Sequence, residues 1–128
     1  MHLKESGEMY LETILILNNK LPQVRAIDIV NYTGYTKPSI SRAVGLLKDG
    51  GYIAIDSDGY ITLTDSGNEL ASKIYERHTL LTTYFKFIGV SEQTAIEDAC
   101  KIEHDISDET FEAIKNHANK ALNNKNSI

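Results

Sequence analysis

The chain has 128 residues, 41% of them hydrophobic and 24% charged, with a net charge of −5 and one cysteine, Cys100. This length suits one compact unit or a small domain with another appended, and the apolar share is enough for a packed core. An intrachain disulfide is excluded, no apolar run approaches the roughly 20 residues of a bilayer span, and Met1-His2-Leu3-Lys4-Glu5 lacks the basic-then-apolar order of a signal peptide, so no membrane partner and a cytoplasmic setting are expected.

Residues 5–18 predict an amphipathic helix, with Tyr10, Ile14 and Leu17 and then Leu11 and Leu15 at helical spacing. Asn18-Asn19-Lys20 and Pro22 should end it. Val24 to Tyr32 suits a second helix, with Ala26, Ile27, Ile29 and Val30 on its apolar face. Thr33-Gly34-Tyr35 reads as a tight turn. Thr36 can cap the next helix, and Pro38 falls in its first turn, where a missing N–H is harmless. Ile40, Val44 and Leu47 should face inward, flanked by Ala43 and Leu46, until Gly50-Gly51 stops the helix. Two helices joined by a Gly-containing turn predict a helix-turn-helix. Tyr52-Ile53-Ala54-Ile55 and Tyr60-Ile61-Thr62-Leu63, joined by Asp56-Ser57-Asp58-Gly59, predict a β-hairpin, the wing of a winged helix-turn-helix.

Ser66-Gly67-Asn68-Glu69 has the pattern of a capping box opening a long helix to about Phe87. Gly89-Val90-Ser91 breaks the pattern. Ser91 can cap a helix to about residue 104, and Ser107 a last one to about Leu122. The fold class is therefore mostly α with a small β-hairpin. A winged helix-turn-helix domain over 1–64 precedes a helical domain over 65–122, and 123–128 reads as a polar, flexible tail.

Charge is segregated along this plan. From Lys20 to Gly50, Lys20, Arg25, Lys37, Arg42 and Lys48 face Asp28 and Asp49, a local balance of +3 that leaves −8 on the rest. The basic stretch suits phosphate and the acidic remainder suits cations. A recognition helix places its N-terminal residues near base edges. Here those residues are Thr36, Lys37, Pro38, Ser39, Ser41 and Arg42. Hydroxyls and Lys37 reach phosphates or bases, Pro38 suits a thymine methyl, and Arg42 suits the paired acceptors of guanine. Tyr60 or nearby wing atoms can meet the backbone. Thr36 and Ser39 can equally be capping groups, and a winged helix can also be a metal-independent protein-docking module.

Cys100, Glu103 and His104 stand at i, i+3 and i+4, within reach of one ion on a single helical face. Thiolate, carboxylate and imidazole together suit a transition metal and not calcium or magnesium. Met9 and Glu12, at i and i+3 on the first helix, could complete the coordination, and His78 could join from the long helix. Each also has an ordinary alternative, Met9 as core and a histidine as surface. Cys100 with His104 could instead be a thiol nucleophile and its base. No oxyanion site or substrate pocket is recognisable, so neither an enzyme nor a small organic substrate is expected.

An ordered set of segments then carries a resemblance: Glu8-Met9-Tyr10-Leu11-Glu12-Thr13-Ile14, Thr36-Lys37-Pro38-Ser39-Ile40-Ser41-Arg42-Ala43-Val44, Gly50-Gly51-Tyr52-Ile53, Leu63-Thr64-Asp65-Ser66-Gly67, Arg77-His78-Thr79-Leu80-Leu81, and Cys100-Lys101-Ile102-Glu103-His104-Asp105-Ile106-Ser107. From about residue 3 to 122 the chain resembles the diphtheria toxin repressor and manganese transport regulator family, in a short form without the C-terminal Src-homology-3-like domain. The resemblance implies a homodimeric, metal-activated repressor of palindromic operator DNA that controls metal-ion homeostasis, its helical domain serving metal binding and dimerisation. It implies Met9, Cys100, Glu103 and His104 as the primary site of the iron-responsive branch. Glu12 and His78 match ligands of the manganese branch, and His78 also an ancillary-site histidine of the iron branch. Thr82 and Ile96 stand at other ancillary positions and cannot ligate. A hybrid second site of Glu12, His78 and a shared Glu103 is therefore expected. The soft sulfurs of Met9 and Cys100 disfavour hard Mn²⁺ and favour Fe²⁺, with Mn²⁺, Co²⁺, Ni²⁺ and Zn²⁺ as the alternatives.

Overall fold

The computed structural model describes residues 5–126. They form α1 (Glu5–Lys20), α2 (Ala26–Thr33), α3 (Lys37–Asp49), β1 (Ile53–Ile55), β2 (Ile61–Leu63), α4 (Asp65–Phe87), α5 (Glu92–Ile102) and α6 (Asp108–Asn126). The contacts divide the chain into two compact units, the first ending at Lys73 and the second beginning at Ile74, within α4. This division lies beyond the start of α4, because Leu70 and Ala71 pack with the first unit's core. Among the described residues no helix is long and apolar enough to cross a membrane.

In the first unit, Leu11, Ile14 and Leu17 of α1, Ile29 of α2, and Ile40, Val44 and Leu47 of α3 share one core with Val24, Ile53, Ile61 and Ala71. The expected helical stripes thus supply most of the burial. Ile27, expected on the apolar face of α2, and Leu46, expected to flank the stripe of α3, do not. Ile27 is 50% exposed and Leu46 65% exposed. Each lies two positions from a buried residue, Ile29 and Val44, and two steps of about 100° carry a side chain to the opposite face of a helix. Helix α1 also outlasts its expected end at Asn18: the Leu21 amide still donates to the Leu17 carbonyl at 2.8 Å. The chain leaves the helix as it approaches Pro22, which disfavours helical backbone in the residue before it.

Gly34 closes α2 at φ 77°, a left-handed conformation that glycine takes without strain, and its amide bonds the Val30 carbonyl. Two residues later Thr36 caps α3, its hydroxyl oxygen accepting from the Ser39 amide at 3.3 Å. The hairpin pairs antiparallel with Ile53 opposite Leu63, Ala54 opposite Thr62 and Ile55 opposite Ile61. Its turn is held by the Asp56 carboxylate, which accepts from the amides of Asp58 and Tyr60 at 2.9 Å each. Tyr52 and Tyr60 lie just outside the strands. The cap of α4 is Thr64 and not Ser66: the Thr64 hydroxyl donates to the Gly51 carbonyl at 2.7 Å and accepts from the Gly67 amide at 3.1 Å. The helix begins two residues before the expected cap could act. Gly67 allows this junction, since a Cβ there would lie 1.9 Å from the Tyr52 carbonyl oxygen.

The second unit packs the later turns of α4 with α5 and α6 around Leu81, Ala99 and Phe111, flanked by Leu80, Phe85, Ile102, Ile106 and Ile114. Gly89, at φ 111°, follows the end of α4. Ser91 precedes α5 in extended backbone but makes no side-chain cap bond. Ser107 does cap α6, accepting from the Thr110 amide at 3.1 Å. Helix α6 runs on to Asn126, past the expected end near Leu122, so most of the segment read as a flexible tail is helical; residues 127 and 128 lie outside the described residues.

Candidate metal centre and nucleic-acid face

Helix α5 stops at Ile102, two residues before its expected end. Glu103 is its C-cap, in right-handed backbone, with its amide on the Ala99 carbonyl. Glu103 and His104 therefore sit in the turn between α5 and α6 and not on the helix proper. Arg77, in the middle of α4 and 6% exposed, holds that turn. Its guanidinium donates to the carbonyl of Glu103 at 3.1 Å and to that of Ile106 at 2.9 Å. It also pairs with the Asp108 carboxylate and lies 5.3 Å from the Phe111 ring centre. A buried cation needs such partners, and the five-donor fork of arginine can serve two carbonyls and a carboxylate at once.

The clamp fixes where the Glu103 side chain goes. It is 1% exposed and lies between two imidazoles, with Oε2 2.8 Å from His78 Nδ1 and Oε1 3.2 Å from His104 Nε2. Burial alone pushes its carboxyl up, but the close approach and charge of His104 and His78 outweigh burial and leave it below its ordinary value. Oε1 is nevertheless buried without a donor in hydrogen-bonding geometry, the His104 contact being one of distance only. A buried carboxylate with one oxygen unsatisfied, set between two ring nitrogens, is a donor set that fits a transition-metal cation.

The other sequence-predicted ligands are distributed over both units. His78 follows Arg77 on α4, and its side chain is 28% exposed. Cys100, in the last turn of α5, is exposed. Met9 and Glu12 stand on α1 in the first unit, both half-buried. Met9 places its sulfur 4.0 Å from the Tyr35 hydroxyl. The second unit thus brings His78, Glu103 and His104 together. Arg77 has no place in the sequence-predicted ligand set. The available signal was an arginine next to a candidate ligand in a helix whose neighbours Ile74 and Leu81 are core.

On the nucleic-acid side, Thr36, Lys37, Pro38, Ser39, Ser41 and Arg42 are all exposed at the start of α3. The Thr36 hydroxyl donates to the Ser39 hydroxyl at 2.8 Å besides accepting from the Ser39 amide, so Thr36 fills its capping role and engages Ser39 as well. Beside the wing, the Arg25 guanidinium stacks over the Tyr60 ring at 4.5 Å.

Comparison with known proteins fits this arrangement. Residues 64–124 match the family described as iron dependent repressor, metal binding and dimerisation domain. An HTH-type transcriptional regulator of Methanocaldococcus jannaschii is 33% identical over 116 residues, covering 88% of this chain and 92% of the relative. The transcriptional regulator MntR of Salmonella typhimurium is 30% identical over 112 residues, covering 88% of this chain and 71% of that protein. Among solved structures, the manganese regulator SloR superposes with a TM-score of 0.78 at 24% identity over 93% of this chain. The metal-dependent transcriptional regulator MtsR does so with a TM-score of 0.82 at 21% identity over 88%. At that identity the two share the fold. The chain spans about half the length of each, 55% and 53%.

Proposed function

This chain belongs to the family of metal-dependent transcriptional repressors that includes MntR, and on that premise we propose that it is a homodimeric repressor of palindromic operator DNA, activated by Fe²⁺. The observation that carries the reading is the buried Glu103 carboxylate, its Oε1 unsatisfied, between the rings of His78 and His104. In this reading Met9, Cys100, Glu103 and His104 hold the primary cation, and Glu12 and His78, sharing Glu103, hold a second. A bound dication supplies charge opposite to the carboxylates and directional bonds to nitrogen, oxygen and sulfur. Two sulfur donors among the ligands favour Fe²⁺ over Mn²⁺; Co²⁺, Ni²⁺ and Zn²⁺ bind as well by the usual order of affinities, and availability selects among them.

The chain's residues turn ligation into DNA binding as follows. Met9 and Glu12, engaged together with ligands of the second unit, restrain α1. Leu11, Ile14 and Leu17 of α1 share their core with Ile40, Val44 and Leu47 of α3, so a restraint on α1 is felt by α3. In a dimer the two α3 helices must stand about one DNA turn apart, roughly 34 Å, to enter successive major grooves. Ligation shifts the population towards that spacing. Arg42 reads guanine, Lys37 and the hydroxyls of Thr36, Ser39 and Ser41 hold phosphates, and Pro38 packs on a thymine methyl.

The test is an anaerobic titration of the full chain on duplexes selected for binding, followed by fluorescence anisotropy. Fe²⁺ should tighten DNA binding at least about tenfold, within the usual range of coupling between two sites, and a chelator should reverse it. Equal affinity with Fe²⁺ and with chelator refutes the switch, and a larger effect of Mn²⁺ refutes the assignment of the metal. Arg42→Ala should weaken DNA binding and leave metal affinity unchanged.

A further inference from the structure

We infer that Tyr35 is a positioning residue that latches the DNA-reading helix to the Met9 sulfur, so that capture of this sulfur by a cation releases the latch. The inference rests on the proposed role of Met9 as a ligand. Tyr35 occupies the position just before Thr36, the cap of α3. Its backbone is fixed there by Gly34 at φ 77° and by its own amide, which donates to the Thr33 hydroxyl at 3.2 Å. Its side chain turns back to α1. The hydroxyl lies 4.0 Å from Met9 Sδ, and the ring meets that of Tyr10 edge-on, centres 6.0 Å apart at 75°. One residue thus joins a candidate ligand on α1 to the first turn of the helix that carries Lys37, Pro38, Ser39 and Arg42.

The chemistry makes this contact responsive. A thioether sulfur is a weak hydrogen-bond acceptor, and it is weaker once its electron density is shared with a cation. The hydroxyl and a cation therefore compete for Met9, while the Tyr10–Tyr35 ring contact involves no sulfur and persists. The latch belongs to the form in which Met9 is not a ligand, so it opposes both metal binding and the DNA-competent setting of α3.

Tyr35→Phe removes the hydroxyl and keeps the ring. Metal affinity is read by calorimetry without DNA, and DNA affinity by anisotropy in chelator and in saturating metal. In Tyr35→Phe, metal should bind about two- to fivefold tighter, the range of one weak hydrogen bond. DNA affinity in chelator should rise by a similar factor, with the metal-saturated affinity unchanged, so the metal-induced gain shrinks. In a Met9→Leu background the same substitution should change chelator DNA affinity less than about 1.5-fold, since the partner sulfur is gone. A residue with a merely structural role would weaken binding in both conditions. Wild-type response to metal with unchanged metal and chelator DNA affinities in Tyr35→Phe overturns the latch alone. A wild-type chain whose DNA affinity ignores metal overturns the repressor reading and the latch with it.

Discussion

Replacing Arg77 by Met removes the guanidinium while keeping an unbranched apolar stem in its place. Three bonds are lost: those to the carbonyls of Glu103 and Ile106, and the pair with Asp108. The two carbonyl bonds involve a charged donor and are buried or partly buried, so each contributes about 1.5 kcal/mol. Asp108 is 72% exposed, water replaces its partner, and that pair adds less than about 1 kcal/mol. Against this, Arg77 Nε is buried without a partner, and its removal returns about 1 kcal/mol. The net expectation is a loss of about 2–3 kcal/mol, dominated by the two carbonyls. Urea unfolding in chelator measures it. The functional consequence should be larger than the loss of stability suggests, because the carbonyl that Arg77 holds belongs to Glu103. A loosened turn should weaken metal binding about 10–100-fold, the usual effect of removing a group that orients a ligand. Arg77→Lys keeps the charge but cannot fork, and should recover only part of either loss. An Arg77→Met protein with an unchanged urea midpoint, or with lost stability but wild-type metal affinity, would refute the assignment of Arg77 as the clamp of the Glu103 turn.

Glu103→Gln preserves shape and removes the charge; metal affinity should fall more than about tenfold with little change in helical circular dichroism, given that a ligand itself matters at least as much as the group orienting it. The same variant tests the pH dependence. The Glu103 carboxyl titrates below its ordinary value of 4.5 in the folded chain, so its contribution to stability is complete above the unfolded value and is lost as pH falls through the lower folded one. Wild-type stability should therefore decline in acid more steeply than that of Glu103→Gln, and parallel acid limbs in a urea series would contradict the shift. Thr36→Ala removes the cap of α3, and should lower stability by about 1 kcal/mol, read by thermal unfolding. Gly67→Ala places a Cβ 1.9 Å from the Tyr52 carbonyl oxygen, so the start of α4 must move, at a cost of at least about 1–3 kcal/mol; a wild-type melting temperature would show that the junction yields easily.

Periodicity and punctuation made most of the fold legible. The stripe of Ile40, Val44 and Leu47, the cap at Thr36 and the turn at Gly34 are local features, and local spacing is what a sequence states directly. The exceptions have two causes, helical phase and partners distant in sequence. Hydrophobicity alone places Ile27 with Ile29 and Leu46 beside Val44, although two residues along a helix point to opposite faces. Ser66 resembled a cap because the pattern Ser-x-x-Glu fits one, but Thr64, two residues earlier, had carbonyl and amide partners at the hairpin exit. The carbonyl partner comes from the chain's return past Gly51, 13 residues away, which no window of a dozen residues contains.

The candidate site divides along the same line. Glu103 and His104 are adjacent in sequence, and spacing alone could bring them together. Spacing did not reveal that α5 ends at Ile102, so that these two residues sit on a turn whose placement depends on Arg77, 26 residues away. This dependence decides what the site can do. A buried carboxylate is stable only with counter-charge, and an imidazole carries a proton only near or below neutrality. The rings of His78 and His104 flank the two carboxylate oxygens of Glu103 and offer nitrogen lone pairs to a metal. A carboxylate held between them, with one oxygen unsatisfied, is therefore matched to a dication, which accepts those lone pairs and neutralises the acid together. The turn that Arg77 fixes is thus what converts a common residue pair into a candidate metal centre. The sequence displays the ligand types plainly, while the guanidinium that aims one of them shows only in the fold.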